Sequence, residues 1–266
     1  MDIGSRVPAE GPVIQIRVLG SYGGRQPGCY LPSFLVNECL LLDAGSAAST
    51  LTVEEQIRLE GILITHTHLD HVGEIPFIAD NIFGAKEASL PIVSLESVLS
   101  DLHKYMFNNI IWPDFTVLSA GDNPILEFIE IEEGEEKTIA GLSITAYRVD
   151  HSVNAVGYII RDETGSVLYS GDTGPTHTIW EKARELDDLR AIITELAFPN
   201  FMQNIAELAK HFTPKSLYEE TKKMPPDVPI YLFHEKIRYH KELLKDLEAL
   251  NEPRLKIFVQ GETYQF

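Results

Sequence analysis

The feature that most constrains this chain is a short apolar run that ends in three histidines and an aspartate, GILITHTHLDH at residues 61–71. Residues 62–65 are apolar or β-branched, as in a strand that is buried on both faces. The cluster that follows consists of His66, His68, Asp70 and His71. Because the chain has only nine histidines in 266 residues, such a cluster is rare by chance. It indicates metal ligands rather than the alternative, a solvated surface cluster.

The chemistry of the cluster predicts a site for divalent metal ions. Neutral imidazole nitrogens and carboxylate oxygens suit Zn²⁺, and also Mn²⁺ or Fe. Four ligands within six residues cannot fill the coordination shells of two ions, so we expect partners further along the chain. Three candidates each follow a strand-like stretch, and they are His151, Asp172 and His234. A lone histidine or a Gly-Asp pair is usually structural, but together these residues complete the set for a dinuclear centre.

Charge restricts the partners of the chain. The 22 basic and 40 acidic residues give a net charge of −18, which repels long nucleic acids and leaves a small charged substrate as the better candidate. No apolar run is long enough to span a membrane, and the first dozen residues lack the apolar core of a signal peptide. We therefore predict a cytoplasmic protein without membrane contact. Cys29 and Cys39 are too few for a disulfide framework and are expected to be reduced.

The order of strand-like and helix-like stretches predicts the architecture. FLVNECLLLDAG indicates a strand pair or one bent strand ending at Asp43, and GEIPFIADNIF indicates a helix. From residue 127 onward strands dominate, KTIAGLSITAYRVD among them, and then helices and strands alternate. We predict an α+β fold, a layered sandwich with helices outside two sheets, in a single domain over residues 1–266.

The ligand motifs together resemble those of the metallo-β-lactamase fold superfamily. They are THTHLDH, the LLLDAG that precedes it, and the DH, SGDT and FH that follow it. The resemblance implies a four-layer αββα sandwich with two divalent ions, most simply Zn²⁺, between the sheets. One ion would be held by His66, His68 and His151, and the other by Asp70, His71 and His234. Asp172 would bridge the two ions, and Asp43 would orient the ligand loop.

Three further stretches, HTHLDHVGEIP, TELAFPN and KHFTPKSL, resemble class II cyclic-nucleotide phosphodiesterases. The chain departs from that group in FHEK, where Ile237 replaces a proline, and in SVNAVGY, which is more similar to tRNase Z. The resemblance implies hydrolysis of 3',5'-cyclic nucleotides to nucleoside 5'-monophosphates by a metal-bridging hydroxide. It also implies a homodimer, since related enzymes are often dimers.

Beyond the ligand Asp70, the candidate catalytic residues are His211 and Glu195. A histidine paired with a carboxylate keeps a proton at neutral pH, so His211 is the candidate donor to the leaving oxygen. The alternative is that the pair only bridges neighbouring elements. Lys236 is a candidate for binding phosphate, although an exposed lysine without a role is commoner.

The aromatic residues of FNNIIWPDF (107–115) are candidates for contacting the base. Phe107 and Trp112 could stack on a nucleobase, but an interface or plain packing is the slightly favoured interpretation.

Two other functions stay open. A tRNase Z-like endoribonuclease would use the same ligands, but only 20 residues separate His151 from Asp172, which leaves no room for the arm that grips tRNA. An ester or lactone hydrolase shares the ligands but not the Phe-Pro-Asn and His-x-Thr-Pro segments.

Overall fold

Two mixed sheets form the middle layers of the computed structural model, which describes residues 13–266. The order of the first sheet is β14 (Thr263–Gln265), β1 (Gln15–Gly20), β2 (Ser33–Val36), β3 (Leu40–Leu42), β4 (Gly61–Leu63), β5 (Leu90–Ser94) and β6 (Leu126–Glu130). The order of the second is β13 (Leu255–Ile257), β12 (Ile230–Phe233), β11 (Leu189–Glu195), β10 (Ser166–Tyr169), β9 (Val156–Arg161), β8 (Leu142–Arg148) and β7 (Glu136–Ile139).

Helices form the outer layers. Within the described residues they are α1 (Ala47–Thr50), α2 (Val53–Ile57), α3 (Leu69–Val72), α4 (Ile75–Ile82), α5 (Glu96–Tyr105), α6 (Thr178–Arg184), α7 (Gln203–Ala209), α8 (Pro214–Thr221) and α9 (His240–Glu248). Short 3₁₀ turns cover Asn200–Met202 and Ile237–Tyr239. Over residues 13–266, no helix combines the length and apolar character that crossing a bilayer requires. The predicted four-layer α+β sandwich is confirmed.

The two sheets share one pairing pattern, and that pattern determines where loops meet. From β14 to β3 and from β7 to β10 neighbouring strands are antiparallel, whereas from β3 to β6 and from β10 to β13 they are parallel. The carboxyl ends of parallel strands lie at one edge of a sheet, where ligand sites form. Asp43, His66, Asp172 and His234 all follow such strands, and Glu195 is the last residue of one.

Aromatic side chains join the sheets in the central core. The ring of Phe34 on β2 lies 5.4 Å from that of Tyr169 on β10 and 5.3 Å from that of Phe233 on β12, centroid to centroid. A second apolar cluster fills the space between the second sheet and its helices, and includes Trp180 and Leu217. The ends of β10 and β12, which precede Asp172 and His234, are therefore fixed from both faces.

Local turn chemistry explains two details of the strand pattern. Asn37 and Glu38 both have positive φ, so FLVNECLLLDAG folds as a tight hairpin, the first of the two predicted alternatives. Ala140 and Gly141 also have positive φ, and they divide KTIAGLSITAYRVD into the hairpin β7–β8.

Cys29 and Cys39 are free thiols, as predicted.

Candidate metal centre

The histidine cluster begins in a loop and continues onto a one-turn helix. His66 lies three residues beyond β4, so the predicted strand ends earlier than residue 65. His68 is the N-cap residue of α3, with extended backbone (φ −62°, ψ 142°), and α3 carries Asp70 and His71 on its single turn. The helix therefore brings His71 back beside His66, with their ring centroids 4.2 Å apart.

The structure brings all seven predicted ligands together. Two groups whose ligand atoms lie within 4.8 Å of one another are His66, His68, His151 and Asp70, His71, His234. They are two of five such groups among the described residues, and they are the trios that the family resemblance implied. Oδ2 of Asp172 lies between them, 3.3 Å from Nε2 of His71, 3.1 Å from Nε2 of His234 and 3.9 Å from Nε2 of His66. The assignment of each residue to an ion stays a prediction.

The hydrogen bonds behind three of the histidines point their other nitrogens inward. Nδ1 of His66 bonds to the Thr65 hydroxyl at 2.9 Å, and Nδ1 of His71 donates to Asp43 at 2.7 Å. Nδ1 of His151 donates to the backbone carbonyl of Lys210 at 3.2 Å. A ligating histidine is oriented by such a bond from its outer nitrogen.

Buried atoms without hydrogen-bond partners show that these residues fit a cation. They include Nε2 of His66, Nε2 of His71 and Oδ1 of Asp172. Nε2 of His151 also lies only 3.2 Å from Nδ1 of His68. Buried polar atoms are rarely left unpaired because the lost solvation is costly. Bound divalent ions would satisfy these lone pairs, and neutral histidine and carboxylate are the donors such ions use.

Asp43 connects the elements around the centre. It is fully buried with φ +56°, and its carboxylate accepts from the Thr65 backbone N–H at 2.8 Å and from the Thr65 hydroxyl. It also accepts from Nδ1 of His71 and, at 2.6 Å, from the Tyr169 hydroxyl. One carboxylate thus ties β3, the loop after β4, α3 and β10 together. The sequence pattern did not reveal Tyr169, because a tyrosine in a buried strand is indistinguishable from a core residue.

Burial and charge set the protonation of the candidate ligands. Burial lowers the pKa of His151 to about 4 and that of His234 to about 3, so both imidazoles are neutral at neutral pH, as ligation requires. Burial alone would lower the pKa of His71, but the carboxylates of Asp172 and Asp43 raise it well above its usual value.

The predicted acid pair lies beside this cluster. Nδ1 of His211 is 3.3 Å from Oε1 of Glu195 and 4.0 Å from Oδ2 of Asp172, and its ring stacks on His234 at 5.1 Å. Oε1 of Glu195 also accepts from the backbone N–H of Phe212 at 2.8 Å. Burial raises the pKa of Glu195 to about 7. Burial by itself would lower the pKa of His211. The nearby Glu195 carboxylate has the larger effect, so the pKa of His211 is raised.

The three substrate candidates have different surroundings. Nζ of Lys236 donates to the carbonyl of Gly23 at 2.7 Å and so fixes the loop between β1 and β2 beside His234. Trp112 is half-buried, with its ring 5.3 Å from that of Phe77. Phe107 is fully buried in the central core, so its ring has no face free for a base. That burial removes Phe107 from the candidates for stacking on the substrate and agrees with plain packing, part of the slightly favoured interpretation.

Comparison with known proteins identifies the family. The family described as "Beta-lactamase superfamily domain" matches residues 39–234, which span all seven candidate ligands. The chain belongs to this family. It is therefore a metal-dependent hydrolase with the fold that the resemblance implied.

Individual relatives of this β-lactamase superfamily member include phosphodiesterases and ribonucleases. A 3',5'-cyclic-nucleotide phosphodiesterase of Aliivibrio fischeri is 28% identical over 246 residues, covering 76% of this chain and 72% of the relative. Ribonuclease J 1 of Streptococcus pyogenes is 28% identical over 121 residues, covering 45% of this chain and 19% of the relative. The crystal structure of unliganded yeast PDE1 superposes with a TM-score of 0.82 at 18% identity, covering 96% and 99% of the two chains. This last similarity establishes the fold.

Proposed function

We propose that this hydrolase opens 3',5'-cyclic nucleotides to nucleoside 5'-monophosphates at a dinuclear metal centre. The observation that carries the proposal is the His211–Glu195 pair, whose imidazole lies 4.0 Å from the central carboxylate of Asp172. Support also comes from the similarity to the Aliivibrio fischeri phosphodiesterase across 76% of the chain.

The seven candidate ligands would hold two divalent ions, most simply Zn²⁺, with Mn²⁺ or Fe as alternatives. When bound, such ions lower the pKa of water and neutralise charge on phosphoryl oxygens. Asp172 would contact both ions, since its Oδ2 lies between the two groups. Asp70 would ligate beside His234, whose Nε2 lies 3.2 Å from Oδ2 of Asp70.

The acid pair supplies the proton that the reaction needs. As water oxygen bonds to phosphorus, the bond from phosphorus to the 3' oxygen breaks and leaves a basic alkoxide. His211, whose Nδ1 lies 3.3 Å from Oε1 of Glu195, would protonate that oxygen. Glu195 would stabilise the protonated imidazole, and the backbone N–H of Phe212 would keep the carboxylate in place.

The remaining parts of the proposal concern partners and organisation. The substrate is a small cyclic nucleotide, with Trp112 as the candidate for base stacking and Lys236 as a nearby cation. We further propose that residues 1–266 form one cytoplasmic metallo-hydrolase domain that assembles as a homodimer. The second candidate function is RNA cleavage, which the similarity to Ribonuclease J 1 favours.

The test is to incubate purified protein of measured metal content with 3',5'-cyclic nucleotides, 2',3'-cyclic nucleotides and a precursor tRNA, and to follow the products by chromatography. We expect 5'-monophosphates from the 3',5' rings and no reaction with Asp172→Ala. Intact rings together with cleaved RNA would overturn the substrate assignment and favour the second candidate.

A further inference from the structure

Three loops that carry site residues meet on one side of the centre. They contain Asp150 and His151 after β8, Gly174 after Asp172, and Lys210 before His211. Lys210 ends α7 in the left-handed conformation, with φ 55° and ψ 55°. That conformation is unfavourable for a residue with a β-carbon, so the surroundings must hold Lys210 in it.

Hydrogen bonds and an ion pair join these loops. The backbone carbonyl of Lys210 accepts from Nδ1 of His151 at 3.2 Å, and Nζ of Lys210 bonds to Oδ1 of Asp150 at 2.6 Å. The carbonyl of Asp150 in turn accepts from the backbone N–H of Gly174 at 2.7 Å. Lys210 therefore holds the candidate ligand His151 through its carbonyl and holds the adjacent residue through its side chain.

The ion pair has a geometric consequence that exceeds its contribution to stability. The side chains of Lys210 and Asp150 are 40% and 49% exposed, and pairs that exposed stabilise a fold little. Their contact nevertheless ties Lys210 to the residue before His151, next to the hydrogen bond between the Lys210 carbonyl and the His151 ring. No equivalent contact from Lys210 to Asp70, His71 or His234 occurs among the described residues.

We propose that Lys210 is a positioning residue for the metal trio His66, His68 and His151, and that it acts on His151 through its carbonyl. The proposal rests on the dinuclear centre proposed above. Loss of the Lys210–Asp150 pair lets the carbonyl move, which frees the His151 ring to rotate and weakens one of the two metal sites. The trio of Asp70, His71 and His234 keeps its ion.

The test measures zinc retained per chain after dialysis against a graded series of chelator concentrations. Wild-type protein should retain two ions. Lys210→Ala and Asp150→Ala should lose one of these ions at a free chelator concentration about 10-fold lower than wild type needs. That factor is the lower end of the usual effect of removing a contact that orients a metal ligand. Lys210→Arg keeps the charge and should restore retention. Lys182→Ala removes a comparable half-exposed pair, Lys182–Glu185, and should behave as wild type.

Double variants locate the weakened site. Lys210→Ala should add to the metal loss caused by His234→Ala, but should cause no further loss in His68→Ala, where the affected ion is already missing. Unchanged chelator resistance in both Lys210→Ala and Asp150→Ala would overturn the proposal. Wild-type protein that retained one ion, or none, would instead refute the dinuclear centre, and the selective effect with it.

Discussion

At the scale of single residues, the proposed chemistry depends on one proton at His211. Removal of this imidazole by His211→Ala should reduce kcat for cyclic-nucleotide hydrolysis about 10²- to 10⁴-fold, the usual contribution of a general acid. Steady-state kinetics with a 3',5'-cyclic nucleotide would measure the loss. Zinc content should stay as in wild type, because His211 is outside the seven candidate ligands. Loss of metal in this variant would instead make His211 a ligand, a role its grouping with His151 and Asp172 also allows.

The pH dependence reports on the same pair. The Glu195 carboxylate raises the pKa of His211 above the ordinary histidine value of 6.5. The imidazole therefore keeps its proton at pH 6.5 and loses it only at higher pH. Glu195→Gln removes that negative charge and should move the alkaline limb of kcat/KM to lower pH. A pH profile of both proteins from pH 5 to 10 would check the direction. An unchanged alkaline limb would assign that titration to another group.

Asp43 offers a residue-scale test of ligand orientation. Asp43→Asn removes the charge that holds Nδ1 of His71, and it leaves the Tyr169 hydroxyl without its anionic acceptor. We expect zinc affinity to fall about 10- to 100-fold, measured by competition with a chromophoric chelator. Tyr169→Phe is the matched milder change, because it deletes one of the donors and keeps the carboxylate. Equal affinity in all three proteins would show that Asp43 serves the fold alone.

At the scale of elements, the strands hold the ligand loops through the aromatic contacts between the sheets. Phe34→Ala opens a cavity next to Tyr169 and Phe233, so the free energy of unfolding should fall by about 3–5 kcal/mol. Urea titration of the metal-free protein would measure the change. Phe201→Ala is the control, since this side chain is 70% exposed and its removal should matter little. A small loss for Phe34→Ala would mean that the sheets repack around the missing ring.

The elements also show why sequence predicts some site residues and not others. The side chains of His66, His151 and Asp172 were predictable because metal binding needs particular atoms, and these atoms follow strand-like runs. The role of the Lys210 carbonyl was not predictable, because every residue has a backbone carbonyl. Only the left-handed conformation of Lys210, with φ 55°, directs this carbonyl to His151. For Phe107 the sequence left stacking and packing both open. Its neighbours Asn108 and Asn109 are typical of a surface loop, yet its own ring packs into the core.

At the scale of the whole molecule, the net charge of −18 opposes the approach of an anionic substrate. Salt screens that repulsion, with a Debye length of about 30 Å at 0.01 M and about 10 Å at 0.1 M. We therefore expect kcat/KM for a cyclic nucleotide to rise with ionic strength through a lower KM, while kcat at saturation stays constant. Kinetics in sodium chloride and in choline chloride would separate screening from specific ion binding.

The same measurement distinguishes the two candidate functions. An enzyme that grips RNA neutralises many phosphates, so its affinity falls steeply with salt. The acidic composition of this chain predicts the opposite slope for its substrate. Local cations such as Lys236 could still attract one phosphate, but its Nζ is already bonded to the Gly23 carbonyl. A steep fall of kcat/KM with salt would therefore show that positively charged residues guide the substrate to the centre. It would favour RNA over a cyclic nucleotide as the substrate.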